Sequence, residues 1–171
     1  MMNILIVDGY NIIGAWPELR ELKEEDDLAT ARDLLIDKMA EYQAFTGDRV
    51  IIVFDAHLVQ GNEKKYKNHQ VEVIFTKEHE TADERIERLA KSLINVRTKV
   101  YVATSDYTEQ WTIFSQGALR KSARELLAEM ETIEKDISKK LQHMQQQTPM
   151  SKVPLTEEVA KIFEKWRRGQ K

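Results

Sequence analysis

Apolar and polar positions along this chain follow two rhythms, and the order in which they alternate predicts its architecture. Asn3 to Val7 is a short continuous apolar run that stops at Asp8-Gly9, the pattern of a buried parallel strand ending in a loop. Leu28, Ala31, Leu35, Met39 and Tyr42 then recur at helical spacing across Leu28 to Phe45, and Gly47 follows as a stop. Arg49 to Phe54 is a second apolar strand, closed by Asp55, and Gln70 to Phe75 is a third, interrupted by Glu72. Thr81 to Val96 reads as a helix, with Thr81 and Glu84 at capping-box spacing. Lys99 to Ala103 is a fourth strand, followed by Thr104-Ser105-Asp106. A short helix through Trp111 and a marginal strand near Ile113 to Ser115 are expected next.

From Ser122 the pattern is strongly helical: Ser122 and Glu125 repeat the capping-box spacing, and Leu126, Met130, Ile133, Ile137 and Leu141 continue the stripe. Gln142 to Pro149 is a polar, Gln-rich break, and Thr156 to Trp166 a last amphipathic helix. Alternating strands and helices predict an α/β fold with a central parallel sheet and helices on both faces. The expected division is a main domain over 1–147 and a helical tail over 148–171, packed on it or appended to it.

Composition narrows this picture. A length of 171 residues suits one α/β domain, and 42% hydrophobic content is enough for a core. There is no Cys, which excludes disulfides and thiolate zinc sites and fits a reducing compartment. No apolar run approaches a membrane span, and Met1 to Val7 leads straight into a strand. A cytoplasmic protein with no membrane partner is therefore expected. The net charge of −3 argues against a protein that coats nucleic acid non-specifically, although a metal site would itself concentrate acids. Basic residues cluster at Lys64, Lys65 and Lys67, at Arg120, Lys121 and Arg124, and at Arg167 and Arg168. The four histidines are scattered and receive no chemistry.

In open α/β sheets ligands bind beyond the C-terminal ends of the strands. The first, second and fourth expected strands end at Asp8, Asp55 and Asp106, and Glu80-Thr81-Ala82-Asp83 follows the third. Carboxylates gathered at one edge repel one another unless a cation lies between them, and hard oxygen donors suit Mg²⁺ or Mn²⁺. Asp83 stands three residues before Ile86 and seven before Ala90, which places it toward the buried side of its helix. Each acid also has a plainer explanation. Asp8-Gly9 is a common turn signal, Asn11 and Asp106 are suitable helix caps, Asp55 suits a loop, and Asp83 complements a helix start.

The run Asp8-Gly9-Tyr10-Asn11 after a first strand resembles the signature of NYN domains, a branch of the PIN-like nucleases. The chain more closely resembles the YacP-like group of that branch. Val7 to Ile13, Val53 to Ala56, Glu80 to Asp83, Ala103 to Asp106 and Gln116 to Leu126 carry the likeness in family order, over about residues 3 to 130. The resemblance implies a Rossmann-like three-layer α/β/α fold and a divalent-metal-dependent endoribonuclease. It also implies that mRNA is cleaved in association with the ribosome during translation. Asp8, Asp83 and Asp106 match the expected acidic core that holds Mg²⁺ or Mn²⁺, with Asp55 and Asn11 as supporting members and Glu80 as a further candidate.

On this expectation the metal activates water for in-line attack on an RNA phosphodiester. Asn11 orients Asp8 or a metal-bound water, and Asp55 serves in an outer layer. Arg120, Lys121 and Arg124, beside the helix start at Ser122, form a phosphate-holding corner. Lys64, Lys65 and Lys67 grip RNA further out, and Tyr10 or Trp16 stacks on a base. The main rival is a catalytically inactive RNA- or ribosome-binding module on the same fold. Receiver domains want an acidic pair after the first strand, and haloacid-dehalogenase phosphatases want an Asp where Tyr10 stands. Dinucleotide-binding enzymes want a Gly-rich turn that Gly9 and Gly14 do not supply.

Overall fold

β1 (Met2–Asp8) lies at the centre of a five-stranded sheet in the computed structural model of the chain. The structure describes residues 2–56, 71–106 and 111–147, and residues 161, 165, 167 and 169. The other strands are β2 (Arg49–Phe54), β3 (Glu72–Phe75), β4 (Thr98–Ala103) and β5 (Leu119–Lys121), in the spatial order β3-β2-β1-β4-β5. Every pairing is parallel, with Asp8 opposite Val53 and Val7 opposite Ala103. Crossovers between parallel strands are usually helical. α1 (Gly9–Ala15), α2 (Pro17–Glu24) and α3 (Leu28–Thr46) lead from β1 to β2, α4 (Ala82–Leu93) leads from β3 to β4, and α5 (Ala123–Gln147) follows β5. The expected α/β architecture with a parallel sheet is therefore present.

Strand alternation sorts the core into two faces. Ile4, Ile6, Ile51, Val53, Val100 and Val102 are buried with Ala82, Ile86 and Ala90 of α4. Leu5, Val7, Val50, Ile52 and Phe54 point the other way, toward the layer of α1, α2 and α3. Gly47, at φ 77°, ends α3 in the left-handed conformation that glycine adopts freely. Gly9 has a packing reason: a Cβ there would lie 2.3 Å from the Phe54 ring. Only a residue without a side chain lets α1 leave β1 so closely above Phe54.

Several expected elements move. β3 begins at Glu72, with Gln70 of its expected span lying outside the described residues, and α4 stops at Leu93. The residues near Ile113 form a 3₁₀ turn, Thr112–Phe114, and the fifth strand lies later, at Leu119–Lys121. Leu-Arg-Lys has no apolar run to reveal it; its parallel pairing with Tyr101 to Ala103 makes it a strand. α1 and α2 span seven and eight residues, too short for a helical period to show in the sequence. The expected helix start near Ser122 is present, with the Ser122 hydroxyl accepting from the Glu125 N–H at 3.0 Å.

By compactness the chain divides into two units, Met1–Ile133 and Glu134–Lys171, with the division inside α5. The helix expected over 156–166 falls almost wholly outside the described residues. No helix of the described residues is long and apolar enough to cross a membrane.

The start of α5 is tied to α3. Tyr42, 2% exposed, donates its hydroxyl to Glu129 Oε2 at 2.9 Å and accepts from Lys121 Nζ at 3.2 Å. Lys121 also lies 2.7 Å from Glu129 Oε1 and 5.0 Å above the Tyr101 ring. Trp16 Nε1 adds a bond to the Ala123 carbonyl at 2.8 Å. Burial, reinforced by the bond to Glu129, pushes the Tyr42 phenol up to about 12. A group raised in the folded state stabilises fully below its unfolded pKa and loses that contribution as pH rises toward its folded pKa. Stability is therefore expected to fall between about pH 10 and 12. Tyr42→Phe should flatten that part of the curve in urea unfolding followed across the pH range. Gly9→Ala, which sets a methyl group against the Phe54 ring, is expected to cost about 1–3 kcal/mol of unfolding free energy in the same measurement.

Candidate active site

The chain fills the sheet outward from β1 in one direction with β2 and β3, then in the other with β4 and β5. The order therefore reverses between β1 and β4, the switch point beyond whose strand ends open α/β sheets place their ligand crevice. Asp8 is the last residue of β1, and Thr104, Ser105 and Asp106 follow β4. Alternation carries Asp8 to the side of Ile4 and Ile6, the face that α4 covers. Asp55, just past β2, continues the alternation of Ile51 and Val53 to that same face. Three neighbouring strands thus deliver Asp55, Asp8 and Asp106 to one edge.

Asp8 is 6% exposed, and Thr104 beside it is wholly buried. Thr104 Oγ1 lies 3.4 Å from Asp8 Oδ2 and 3.2 Å from Asn11 Oδ1, and it accepts the Asp106 N–H at 3.1 Å. Asn11 Oδ1 also accepts from the Ser105 hydroxyl at 2.6 Å and from the Ser105 N–H. The carbonyl end of Asn11, the residue expected to orient Asp8 or a metal-bound water, is thus turned to the end of β4. Asn11 ties the first turn of α1 to the end of β4, and Thr104 is the residue that touches both. Asp106 is placed through its backbone: its N–H reaches Thr104, and its carbonyl accepts from Arg120 at 3.1 Å.

Asp83 occupies the first turn of α4, which starts seven residues beyond the end of β3 at this same edge. It is half-buried and lines a groove with Glu84, Glu87, Arg88 and Trp111. It therefore flanks the buried stripe of α4 instead of standing within it. Among the described residues, no three Asp, Glu or His side chains converge as a metal-holding group. Asp8, Asp83 and Asp106 are thus not gathered into a closed cage. The donors at the crevice are all hard oxygens, and Mg²⁺ commonly keeps several waters and takes only one or two carboxylates plus substrate phosphate. Asp8 and Asp106 suit an ion held in that open manner.

Of the basic residues, Arg120 is brought to the site. It stacks over Phe114 with the guanidinium carbon 4.5 Å from the ring centre. Lys121 is carried away from it, into the contact with Tyr42 and Glu129. Arg120 and Lys121 are strand residues of β5, so the expected corner beside the α5 start does not form from all three; Arg124 is exposed on the first turn of α5. Lys64, Lys65 and Lys67 lie outside the described residues. Glu80 is taken by structure, with Arg88 at 2.5 Å and Arg85 at 3.3 Å. Burial raises its pKa, but the Lys77 N–H and the two arginines outweigh burial and hold it below the ordinary carboxylate range. Trp16 belongs to the core and is no stacking platform. Tyr10 packs on Phe54 with ring centres 5.0 Å apart, and its hydroxyl accepts from Arg32 at 3.0 Å.

Thr104 and Ser105 are the residues that the strand-end search for acids passed over. Their signal was two hydroxyl side chains directly between a buried strand and an aspartate.

Comparison with known proteins gives a consistent result. The YacP-like NYN domain family matches residues 5–168. The chain is 66% identical over 168 residues to a Bacillus subtilis (strain 168) protein named "Uncharacterized protein YacP", covering 98% of both chains. It is similar to the crystal structure of Rae1 (YacP) from Bacillus subtilis, with a TM-score of 0.79, 65% identity, and coverage of 98% of this chain and 96% of that one. A tryptophan-to-leucine mutant of Rae1 matches with a TM-score of 0.75 and 61% identity, over 97% and 96% of the two chains.

Thr104→Val removes a buried hydroxyl with three polar neighbours and is expected to cost about 1–3 kcal/mol of stability. Thr104→Ser should recover most of the loss in urea unfolding. Equal stability of Thr104→Val and the unsubstituted protein would show that the hydroxyl holds nothing.

Proposed function

Because the chain belongs to the YacP-like NYN domain family, a nuclease-type family, we propose that it is an endoribonuclease that cleaves mRNA with a divalent metal ion, Mg²⁺ or Mn²⁺. The ribosome during translation is its proposed setting, which follows from the family resemblance. The observation that carries the catalytic part is the placement of Asp8. It is a buried carboxylate at the crevice where the strand order reverses, joined through Thr104 to Asp106 and set beside Asn11.

Asp8 and Asp106 would hold the ion, with Asp83 as the third carboxylate at the same edge. When bound, the ion supplies positive charge against the phosphate and makes water acidic enough to act near neutral pH. The protein's own residues prepare the site. Thr104 holds the Asp8 carboxylate through its hydroxyl and the Asp106 backbone through its oxygen, so the two residues stay on adjacent strand ends before RNA arrives. Asp55 adds negative charge on the other side of Asp8. Arg120 holds the Asp106 carbonyl and, with the exposed Arg124, supplies cations for the RNA backbone. Lys64, Lys65 and Lys67 are the further candidates for that contact.

The test is Mg²⁺- or Mn²⁺-dependent cleavage of mRNA, free and on translating ribosomes, by the unsubstituted protein, Asp8→Asn and Asp83→Asn. Mutating outer partners of metal ligands costs about 10–100-fold, so Asp8→Asn is expected to lose at least that much, and chelator to abolish cleavage. Activity that survives both Asp8→Asn and chelator would sink the metal-carboxylate reading. Wild-type cleavage of Asp83→Asn with the fold intact removes Asp83 from the site. Ribosome binding without any cleavage would point to a binding module instead.

A further inference from the structure

The hydrogen bonds at the end of β4 fix which way the Asn11 side chain is turned. A backbone N–H can only donate, so the Asn11 atom facing the Ser105 N–H must be its carbonyl oxygen. The Ser105 hydroxyl approaches that same oxygen at 2.6 Å. A carbonyl oxygen has two lone pairs, and these two donors fill them. The single hydroxyl proton of Thr104 is then left for Asp8 Oδ2, while its oxygen receives the Asp106 N–H.

A carboxamide is planar. With Oδ1 held against Ser105, the Asn11 amide nitrogen turns away from the end of β4. Asn11 is half-buried, in the first turn of α1 and three residues from Asp8. Among the described residues no hydrogen bond from its Nδ2 is found. Two N–H donors are thus oriented in advance beside the buried carboxylate at the crevice. They are neutral, so they do not compete with a cation for Asp8, and they match an acceptor-only group such as a phosphate oxygen.

We propose that Ser105 is a positioning residue that fixes the Asn11 carboxamide so that Nδ2 donates to a non-bridging oxygen of the RNA phosphodiester, an inference that rests on the endoribonuclease activity proposed above. Ser105 makes no contact with RNA in this scheme. Both of its donors act on Asn11, and Asn11 acts on the phosphate.

The experiment is cleavage kinetics with whichever RNA the unsubstituted protein cleaves, free or ribosome-bound, including versions with sulfur at either non-bridging position of the cleaved linkage. The variants are Asn11→Ala, Ser105→Ala and Ser105→Thr, each checked by thermal melting for an intact fold. Asn11→Ala is expected to lower kcat by about 10²–10³-fold, as loss of one oxyanion donor does, with KM nearly unchanged. Ser105→Ala is expected to lower kcat by about 10–100-fold through lost orientation, and Ser105→Thr, which keeps the hydroxyl, to restore it. The rate penalty of one sulfur isomer should disappear in Asn11→Ala. A cleaving wild type matched in kcat by Asn11→Ala or by Ser105→Ala overturns the inference alone. Equal losses in Ser105→Ala and Ser105→Thr also overturn it. A wild type that cleaves no RNA overturns the proposed activity and the inference together.

Discussion

β1 is the strand held on every side, and the site depends on it. It is hydrogen-bonded to β2 on one side and β4 on the other, and Ile4 to Val7 are buried on both faces. Asp8 is therefore delivered to a set place, at a set height, by packing alone. A buried carboxylate is costly unless polar partners compensate it, and the Thr104 hydroxyl is one such partner. The residue after Asp8 is constrained as well, because the Phe54 ring occupies the space where a side chain at Gly9 would stand. That contact decides how α1 departs from β1, and hence where Asn11 falls. Core packing below the sheet edge and polar geometry above it are two ends of one constraint.

The distribution of charge around that edge follows from competition between structure and chemistry. Arg85 and Arg88 share the buried Glu80, which holds the loop between β3 and α4 against the start of the helix. Lys121 is drawn into the cluster of Tyr42 and Glu129, where those partners outweigh burial and hold its ammonium above the ordinary lysine range. Arg120, one residue earlier on a strand, points the other way and reaches the Asp106 carbonyl. Adjacent positions of β5 thus serve opposite purposes, one locking α5 to α3 and the other steadying the crevice. A count of basic residues could not separate them.

Much of this was legible in the sequence, because local chemistry decides it. Continuous apolar runs mark strands buried on both faces. The helical stripe from Leu28 to Tyr42 and the caps at Thr81 and Ser122 mark helix ends. Since parallel strands all end at one edge, Asp8, Asp55 and Asp106 could be assigned to a common side from their positions alone. The family likeness was carried by those same residues.

Only the tertiary structure could decide which of them meet. The order β3-β2-β1-β4-β5 places the end of β4 beside Asp8, although 96 residues separate Thr104 from it. That neighbour relation gives Thr104 and Ser105 their roles, turns the Asn11 amide, and sends Lys121 into the interior. β5 is a strand because β4 offers it backbone partners, not because Leu-Arg-Lys favours one. Hydrophobic periodicity and capping act over a few residues, and the sequence expresses them directly. Sheet order and side-chain hydrogen bonds between distant segments depend on the whole chain folding at once, and no local pattern encodes them.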